Sequence, residues 1–414
     1  MPKNPLRSAA LLGPALVAGV AYLDPGNVAS NMTAGARYGY LLVWVVVAGN
    51  VMAWLVQYLS AKLGVVTGRS LPEILGARIR SRWARRAYWV QAELVAMATD
   101  IAEVLGGAVA LNLLFDIPLL LGGAITGGVS IALLAVQTRR GPRHFEFVII
   151  GLMAIIVVGF VAGLFVAPPD AGGVLGGMLP RFTDSGSVLL AASILGATVM
   201  PHAIYAHSAL TRDRFGAATD SAAQRERLPS IRMLLTVTRW DVSIAMVIAG
   251  SVNLAILLLA AANLAGVEGT DSLEGAHAAI TAGLGPFIGT LFAVGLLASG
   301  LASTSVGAYA GAEIMHGLLT IRIPLLARRL VTLIPALLIL GVGFDPTAAL
   351  VLSQVVLSFG IPFALIPLVA LTAQRRTLGE HANRMLTTVL GVVCAALLIA
   401  LNAALLWLVL TNAG

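Results

Sequence analysis

Eleven long apolar runs divide this sequence, and each is long enough to cross a lipid bilayer. A transmembrane helix needs about 20 consecutive, mostly apolar residues. Only 11% of the chain is charged, against about 25% in soluble domains. We therefore expect an all-α polytopic membrane protein, with residues 1–414 forming a single transmembrane domain. The runs cover residues 11–34, 41–62, 86–112, 117–137, 145–167, 187–211, 240–264, 280–318, 324–343, 347–372 and 386–410.

The basic residues predict how these spans are oriented. With the N-terminus in the cytoplasm, all of the 26 Lys and Arg residues except Arg37 and Arg181 fall in cytoplasmic segments. Such a bias is what the positive-inside rule describes. Eleven spans then place the C-terminus outside. The distribution accounts for the net charge of +7 without a nucleic-acid partner, and it predicts a multi-pass protein of the cytoplasmic membrane.

Two of the spans contain a proline that interrupts the helix. In the first span Asp24 precedes Pro25, whose missing N–H leaves the carbonyl of Ala21 without its helical partner. In the sixth span Pro201 frees the carbonyl of Ala197 in the same way. A carboxylate inside an apolar span indicates a functional site. Paired interrupted helices, in turn, point to a substrate site near the middle of the membrane.

The polar groups at the two interruptions form a ligand set for a metal. The Asp24 carboxylate, the Asn27 amide and the Met200 thioether join the carbonyls of Ala21 and Ala197. A mixed set of oxygen and sulfur ligands suits a divalent transition metal, whereas Mg²⁺ and Ca²⁺ prefer oxygen ligands alone. The sequence therefore predicts a transition-metal site where the two interrupted helices meet.

The order of the spans predicts an internal repeat. Residues 11–167 and residues 187–372 hold five spans each, and each set begins with an interrupted helix. Because five crossings are an odd number, the second set must be inserted upside down relative to the first, as in many secondary transporters. The eleventh span, 386–410, lies outside the repeat. The sequence has no GxxxxGK[ST] phosphate loop, so uphill transport would draw on an ion gradient.

Three carboxylates share one side of the third predicted helix. Asp100 lies seven residues after Glu93, and Glu103 lies three further on, which brings them together at 3.6 residues per turn. Such a row faces protein or water rather than lipid. It either passes protons by sequential protonation or forms salt bridges with arginines of a neighbouring helix. Arg328 and Arg329 are the candidate partners, unless they only snorkel to the membrane surface.

Other polar residues in the spans are harder to interpret. His202 directly follows the second interruption and His207 lies five residues on; histidine changes its charge near neutral pH. Gln354, in the tenth span, either completes the metal site or binds a neighbouring carbonyl. No role for Glu313 or His316 can be derived from the sequence.

The interruption motifs, Asp24-Pro-Gly-Asn27 and Met200-Pro-His202, occur together with several other short motifs. These are Ala-Arg-Tyr-Gly-Tyr at 36–40, Ala-Met-Ala-Thr-Asp at 96–100, Gly-Ala-Thr-Val-Met-Pro-His at 196–202, Ser-Gln at 353–354 and Leu-Ser-Phe-Gly at 357–360. Together they resemble the Nramp (natural resistance-associated macrophage protein) family of proton-coupled divalent metal transporters, above all its bacterial manganese transporters. The resemblance covers essentially the whole chain.

The resemblance implies a fold, a mechanism and a set of site residues. The fold is of the leucine-transporter type, with an inverted 5+5 helix repeat, helices 1 and 6 broken, an eleventh transmembrane helix and transport by alternating access. The implied metal ligands are Asp24, Asn27, Met200, the carbonyls of Ala21 and Ala197 and, in some conformations, Gln354. The implied proton pathway comprises Asp24, Glu93, Asp100, Glu103, His202, His207, Arg328 and Arg329.

The predicted function is proton-coupled uptake of Mn²⁺, with Fe²⁺ as a further substrate, and no cofactor or obligate protein partner. One alternative is an amino-acid or organic-ion symporter, although Asp24 would repel an amino-acid carboxylate that needs positive helix ends. Another is a cation channel, which the paired interrupted helices disfavour. The sequence has no HExxH motif, serine–lysine pair or Cys/His cluster, so we do not expect an enzyme.

Overall fold

The computed structural model describes residues 13–140, 142–216, 230–319 and 325–411, which form helices joined by short turns. A 3-10 turn over Ala21–Leu23 joins the first two helices, and another covers Gly379–His381. The helices are α1 (Pro14–Val20), α2 (Pro25–Tyr38), α3 (Val43–Thr67), α4 (Leu71–Arg78), α5 (Arg82–Phe115), α6 (Leu119–Arg140), α7 (Pro142–Val166), α8 (Ala171–Gly177), α9 (Ser185–Thr198), α10 (Pro201–Gly216), α11 (Ile231–Asn263), α12 (Leu273–Leu284), α13 (Pro286–Leu319), α14 (Leu325–Gly341), α15 (Pro346–Ala373), α16 (Arg375–Leu378) and α17 (Met385–Thr411).

In the described part of the chain, eight helices are long and apolar enough to cross a membrane. They are α3, α5, α7, α9 with α10, α11, α13, α15 and α17. The other three predicted spans fall on the interrupted segment 14–38, on α6 and on α14. The prediction of an all-α polytopic membrane protein is confirmed. Five of the basic residues that predict the orientation lie outside the described residues, at positions 3, 7, 225, 227 and 322.

One predicted boundary was wrong. The apolar run 280–318 is two helices, because α12 ends at Leu284 and α13 begins at Pro286. Gly285 between them has a φ of 96°, a conformation that favours glycine. Proline is well suited to the first turn of a helix, where its missing N–H costs nothing. The Gly-Pro pair therefore separates a short helix from the membrane span that follows it.

The helix after the first interruption lies at the centre of the molecule. Every residue from Pro25 to Ala36 in α2 is buried, and α2 packs against α5, α9, α11 and α15. A helix that is enclosed on all sides can carry polar side chains only where neighbouring helices satisfy them. Asn27 and Asn31 are such side chains. The packing therefore places the polar face of α2 inside the protein and away from lipid.

Candidate metal centre and its charged neighbours

The first interruption is centred on Asp24. This residue is extended, with a ψ of 164°, and its side chain caps the start of α2. Its Oδ1 atom accepts a hydrogen bond of 2.8 Å from the Asn27 backbone N–H. The carbonyls released by the interruption find partners on other helices: Asn253 Nδ2 donates to the Tyr22 oxygen at 2.9 Å, and the Ser299 hydroxyl donates to the Leu23 oxygen. The break is therefore an ordered part of the fold.

The second interruption lies directly beside the first. The helix α9 ends at Thr198, Val199 adopts a non-helical φ of −109° and ψ of 62°, and α10 begins at Pro201. Pro201 cannot donate to the Ala197 carbonyl, which accepts a 2.8 Å hydrogen bond from Asn27 Nδ2 instead. One side chain of the first break thus satisfies the carbonyl that the second break exposes.

Gln354 joins the same cluster from α15. Its Nε2 atom lies 3.2 Å from Asp24 Oδ2, while Asn27 Nδ2 lies 2.8 Å from Asp24 Oδ1. Two glycines allow this approach. A Cβ atom at Gly26 would lie 1.7 Å from Gln354 Nε2, and one at Gly196 would lie 2.0 Å from the Gln354 backbone oxygen. Three separate segments therefore converge on one carboxylate.

Two amide oxygens at this cluster have no donor among the described residues. Asn27 Oδ1 and Gln354 Oε1 are buried and make no hydrogen bond, although buried polar atoms are nearly always paired. Asp24 itself is completely buried, and no basic side chain is among its hydrogen-bond partners in the described residues. A buried carboxylate that has no positively charged partner in the described residues, next to unsatisfied amide oxygens, is a chemical environment that attracts a cation.

The structure brings four of the six predicted metal ligands into direct contact. Asp24, Asn27, the Ala197 carbonyl and Gln354 are joined by hydrogen bonds. Met200 is fully buried in the turn between α9 and α10, and Ala21 is buried in the 3-10 turn before Asp24. Within the described residues no group of three or more His, Cys, Asp and Glu side chains is arranged to hold a metal ion. A metal here would be bound mainly by neutral ligands.

The predicted row of carboxylates forms a buried ion-pair cluster with both arginines. Arg328 lies 2.9 Å from Glu93 and 3.4 Å from Asp100. Arg329 lies 2.8 Å from Asp100 and 3.3 Å from Glu103. The side chain of Arg329 is only 1% exposed, so the snorkelling interpretation is wrong for this residue. Because the carboxylates and arginines come from α5 and α14, the cluster also ties these helices together.

Hydroxyl groups complete the shell of Arg329. Its Nε atom donates to Ser130 at 2.8 Å and its Nη2 atom to Thr304 at 3.3 Å. Gly311 on α13 leaves room for the neighbouring arginine, since a Cβ atom there would lie 2.1 Å from the Arg328 guanidinium carbon. Ser130, Thr304 and Gly311 were not predicted to belong to this cluster, because each resembles an ordinary packing residue of a membrane helix. The one available signal was a hydroxyl side chain within an apolar run.

Glu103 connects this cluster to the metal centre. It lies close enough to Asp24 for their charges to interact, one helical turn before Gly106. A Cβ atom at Gly106 would lie 2.1 Å from the Pro25 side chain, so α5 crosses the first interruption at this point. One Glu103 oxygen, Oε1, has no donor among the described residues. The carboxylates therefore extend from the ion-pair cluster to the side of the metal centre.

The two predicted histidines occupy different surroundings. His202 Nδ1 lies 3.2 Å from the Thr99 hydroxyl, beside the ion-pair cluster on α5. His207 Nδ1 lies 2.6 Å from Gln57 Oε1, and Gln57 donates in turn to the Tyr22 hydroxyl. His202 is therefore next to the carboxylates, whereas His207 belongs to a chain of hydrogen bonds that ends behind the first interruption.

Glu313, for which no role could be derived from the sequence, belongs to a charged network at one end of the bundle. Arg212 lies 2.9 Å from Glu73 and 3.0 Å from Glu313, so it links α4, α10 and α13. A cavity of about 440 Å³ adjoins this network and is lined by Glu313, His316 and Arg328 among others. It lies on the side that the basic loops predict to be cytoplasmic, and it reaches the edge of the ion-pair cluster.

A second cavity opens at the opposite end of the bundle. It has a volume of about 370 Å³ and is lined by Thr33, Arg37, Asp271 and Asp345 among others. Arg37 Nη2 lies 2.6 Å from Asp271 Oδ2 at its rim. The hydrogen bond from Arg37 lowers the pKa of Asp271 below its ordinary value, although partial burial opposes this effect. The metal centre therefore lies between two cavities and is exposed to neither.

Comparison with known proteins connects this architecture to transporters. The chain is 60% identical over 402 residues to the divalent metal cation transporter MntH of Mycobacterium tuberculosis H37Rv, covering 97% of this chain and 92% of the relative. It superposes on a crystal structure of the Eremococcus coleocola manganese transporter with a TM-score of 0.84 and 32% identity, covering 97% of this chain and 87% of the other.

A more distant structure shows that the fold extends beyond these proteins. MhsT, solved in complex with L-phenylalanine, matches with a TM-score of 0.59 at 14% identity, covering 96% of this chain and 97% of the other, so the likeness concerns the fold alone. The family model described as natural resistance-associated macrophage protein-like matches residues 15–408. Since it covers nearly the whole chain and the relatives are so similar, this protein belongs to the Nramp family.

Proposed function

We propose that this protein takes up divalent transition metal, Mn²⁺ first and Fe²⁺ as well, and that protons are the coupling ions. Membership of a family of membrane metal transporters confirms that the chain is not an enzyme and that metal is its substrate rather than a cofactor. The observation that carries the proposal is the buried Asp24 carboxylate between the unsatisfied oxygens of Asn27 and Gln354.

The metal is bound where the two interrupted helices meet. The Asp24 carboxylate supplies the negative charge. The Ala197 carbonyl supplies a further oxygen, which binds the cation in place of the Asn27 side chain. Turning the Asn27 and Gln354 amides would direct their oxygens at the metal and relieve both unsatisfied acceptors. Met200 adds a thioether, which transition metals accept and which Mg²⁺ and Ca²⁺ gain little from. The site is therefore selective because it does not offer Mg²⁺ and Ca²⁺ the shell of oxygen ligands alone that they prefer.

Protons leave the metal centre along the carboxylates of α5. Metal binding requires Asp24 to be deprotonated, and Glu103 is the neighbouring carboxylate in the direction of the ion-pair cluster. Asp100 and Glu93 continue the row, and Arg328 at its far end lines the cavity on the predicted cytoplasmic side. His202 accompanies the row through Thr99. The proton route thus diverges from the two interrupted helices that hold the metal.

Access alternates between the two cavities. The metal centre is buried, and a cavity lies on either side of it. A channel conducts through a pore that is open to both sides at once, whereas a closed centre between two vestibules suits a carrier that opens to one side at a time. The inverted relation of residues 11–167 and 187–372 would make these two openings structurally equivalent.

The test is Mn²⁺ flux into proteoliposomes at neutral and at acidic outside pH. Wild-type protein is expected to transport Mn²⁺ and to acidify the lumen, with faster uptake at acidic pH. Asp24→Ala is expected to abolish flux, because no other side chain of the centre carries a negative charge. Asp170→Ala, which alters a carboxylate that only caps α8, serves as the matched control. Flux that persists in Asp24→Ala, or binding of an amino acid in place of Mn²⁺, would refute the proposal.

A further inference from the structure

A third cavity lies on the surface of the bundle, between α3 and α11. It has a volume of about 430 Å³. Arg239 directly precedes the predicted span 240–264, at the end of α11 that adjoins a basic loop. The cavity therefore begins where the membrane surface is expected and extends along the two helices toward the bilayer interior. Its principal lining residues are Trp54, Tyr58, Thr236, Arg239, Trp240 and Ser243.

The cavity has an ordered aromatic wall. Trp54 stacks on Tyr58 with ring centroids 6.1 Å apart and an angle of 11° between the planes. The Trp54 indole N–H donates a 2.9 Å hydrogen bond to Ser243, which fixes the ring against α11. Trp240, at the mouth, is 66% exposed. Tryptophan and tyrosine are enriched where acyl chains meet headgroups, so this wall suits the junction between a lipid tail and its headgroup.

The cavity also presents an arginine that has no carboxylate partner in the described part of the chain. The Arg239 guanidinium carbon lies 5.7 Å from the centroid of the Trp54 ring. Arg239 is exposed, and no carboxylate among the described residues forms an ion pair with it. Arg232, on the same helix, is paired with Glu380 at 3.4 Å. An arginine held over an aromatic ring keeps its fork of N–H donors available for a planar or tetrahedral anion.

We infer that this cavity binds an anionic phospholipid, whose phosphate pairs with Arg239 while its glycerol and acyl chains lie along Trp54 and Tyr58. The positive charge and the aromatic wall complement the two parts of such a lipid. Anionic lipids are attracted to basic residues at the membrane surface. The site is separate from the metal centre and does not depend on the transport proposal, because it concerns the outer face of α3 and α11.

The experiment titrates phosphatidylglycerol into delipidated protein and counts retained lipids by native mass spectrometry. Arg239→Gln is expected to retain one lipid fewer than wild type, because the affinity of this site for phosphatidylglycerol falls about fivefold. That factor corresponds to the loss of one basic residue at a membrane surface. Arg232→Gln removes the same charge from the same helix and is expected to keep that lipid. Equal losses in both variants would show general attraction and overturn the inference.

Two further arms identify the bound group. The first arm compares how strongly two lipids with brominated acyl chains, phosphatidylcholine and phosphatidylglycerol, quench tryptophan fluorescence. Phosphatidylglycerol is expected to quench more in wild type than in Arg239→Gln, whereas phosphatidylcholine is expected to quench both proteins equally. Equal quenching by both lipids would overturn headgroup recognition. Inorganic phosphate in excess is expected not to displace the retained lipid; displacement would show that the site recognises free phosphate instead.

Discussion

Asn27 shows how much one side chain contributes at the residue scale. A single amide nitrogen donates to the Asp24 carboxylate and to the Ala197 carbonyl, both at 2.8 Å. Pro201 indicates that the Ala197 carbonyl needs a donor from elsewhere, and Asn27 is visible in the sequence as a polar residue. Their pairing could not be predicted, because they lie 170 residues apart and only packing brings them together.

Met200 is expected to determine discrimination against hard cations. Met200→Ala removes the thioether and leaves only oxygen ligands, which Mg²⁺ and Ca²⁺ prefer. We expect Ca²⁺ or Mg²⁺ to compete more strongly with Mn²⁺ in the variant, measured as inhibition of liposome uptake. Met153→Ala, which truncates a buried methionine of α7, is the control. Competition that is unchanged in Met200→Ala would show that selectivity resides in other ligands.

Asp100 is expected to affect proton coupling more than metal binding. It contacts both Arg328 and Arg329 and is not part of the metal centre. Asp100→Asn keeps the shape but removes the charge, so sequential protonation along α5 is interrupted. We expect weakened acid stimulation of uptake, while Mn²⁺ affinity measured by isothermal titration changes little. If acid-stimulated uptake in Asp100→Asn equals that of wild type, protons follow another route.

At the scale of elements, α15 contains two prolines that other helices accommodate. Pro362 removes the helical donor to the Ser358 carbonyl, which accepts a 2.9 Å hydrogen bond from Asn402 Nδ2 on α17. Pro367 does the same to the Phe363 carbonyl, which accepts from the Tyr88 hydroxyl on α5. Lipid offers no donor to such groups. The eleventh span, although outside the predicted repeat, therefore stabilises the helix that carries Gln354.

Asn402 is accordingly expected to contribute to stability. Asn402→Leu leaves the buried Ser358 carbonyl without its donor, and the cost of an unsatisfied group is about 1–3 kcal/mol. We expect a lower temperature of unfolding in detergent. Ser358→Ala removes a hydroxyl that lies 2.8 Å from Asn402 Oδ1 and 2.7 Å from the Val355 oxygen; it leaves the Asn402 donor to the carbonyl in place and is expected to cost less. Equal stability of Asn402→Leu and wild type would show that the carbonyl finds another partner.

At the level of the whole molecule, the Arg37–Asp271 ion pair lies at the rim of one cavity and is not expected to respond to mild acid. The pKa of Asp271 is lowered in the folded protein, so its contribution is present above the ordinary carboxylate pKa and is lost only as pH falls through the lower folded value. The ordinary pKa of an aspartate side chain is about 3.9. The Asp271 carboxylate therefore remains ionised throughout the range in which acid-stimulated uptake would be measured.

This predicts a variant with altered uptake but a normal pH profile. Asp271→Asn weakens the contact between the end of α2 and the segment before α12. We expect the uptake rate to change by the same factor at neutral and at mildly acidic pH, measured as Mn²⁺ flux. Asp345→Asn, at the same cavity, is the control for loss of a carboxylate. A pH profile that flattens in Asp271→Asn would assign proton sensing to this rim.

Most of the architecture could be predicted because a bilayer leaves a chain few choices. Apolar runs must be helices, and prolines inside them must release carbonyls, so Asp24 and the residues around Pro201 were identifiable from local chemistry alone. The boundary at Gly285 was missed because apolar composition continues across it, and hydropathy does not register a turn between two helices.

Local sequence patterns are enough to predict the apolar spans, the two places where a span breaks and the ionisable groups within the spans. The pairings depend on packing: Asn27 with Ala197, Gln354 with Asp24, and Arg329 with Asp100. The reason is physical. Hydropathy and proline act within one helix and can be read along the chain, whereas a buried polar atom must be satisfied by whichever distant group packing brings within about 3 Å of it.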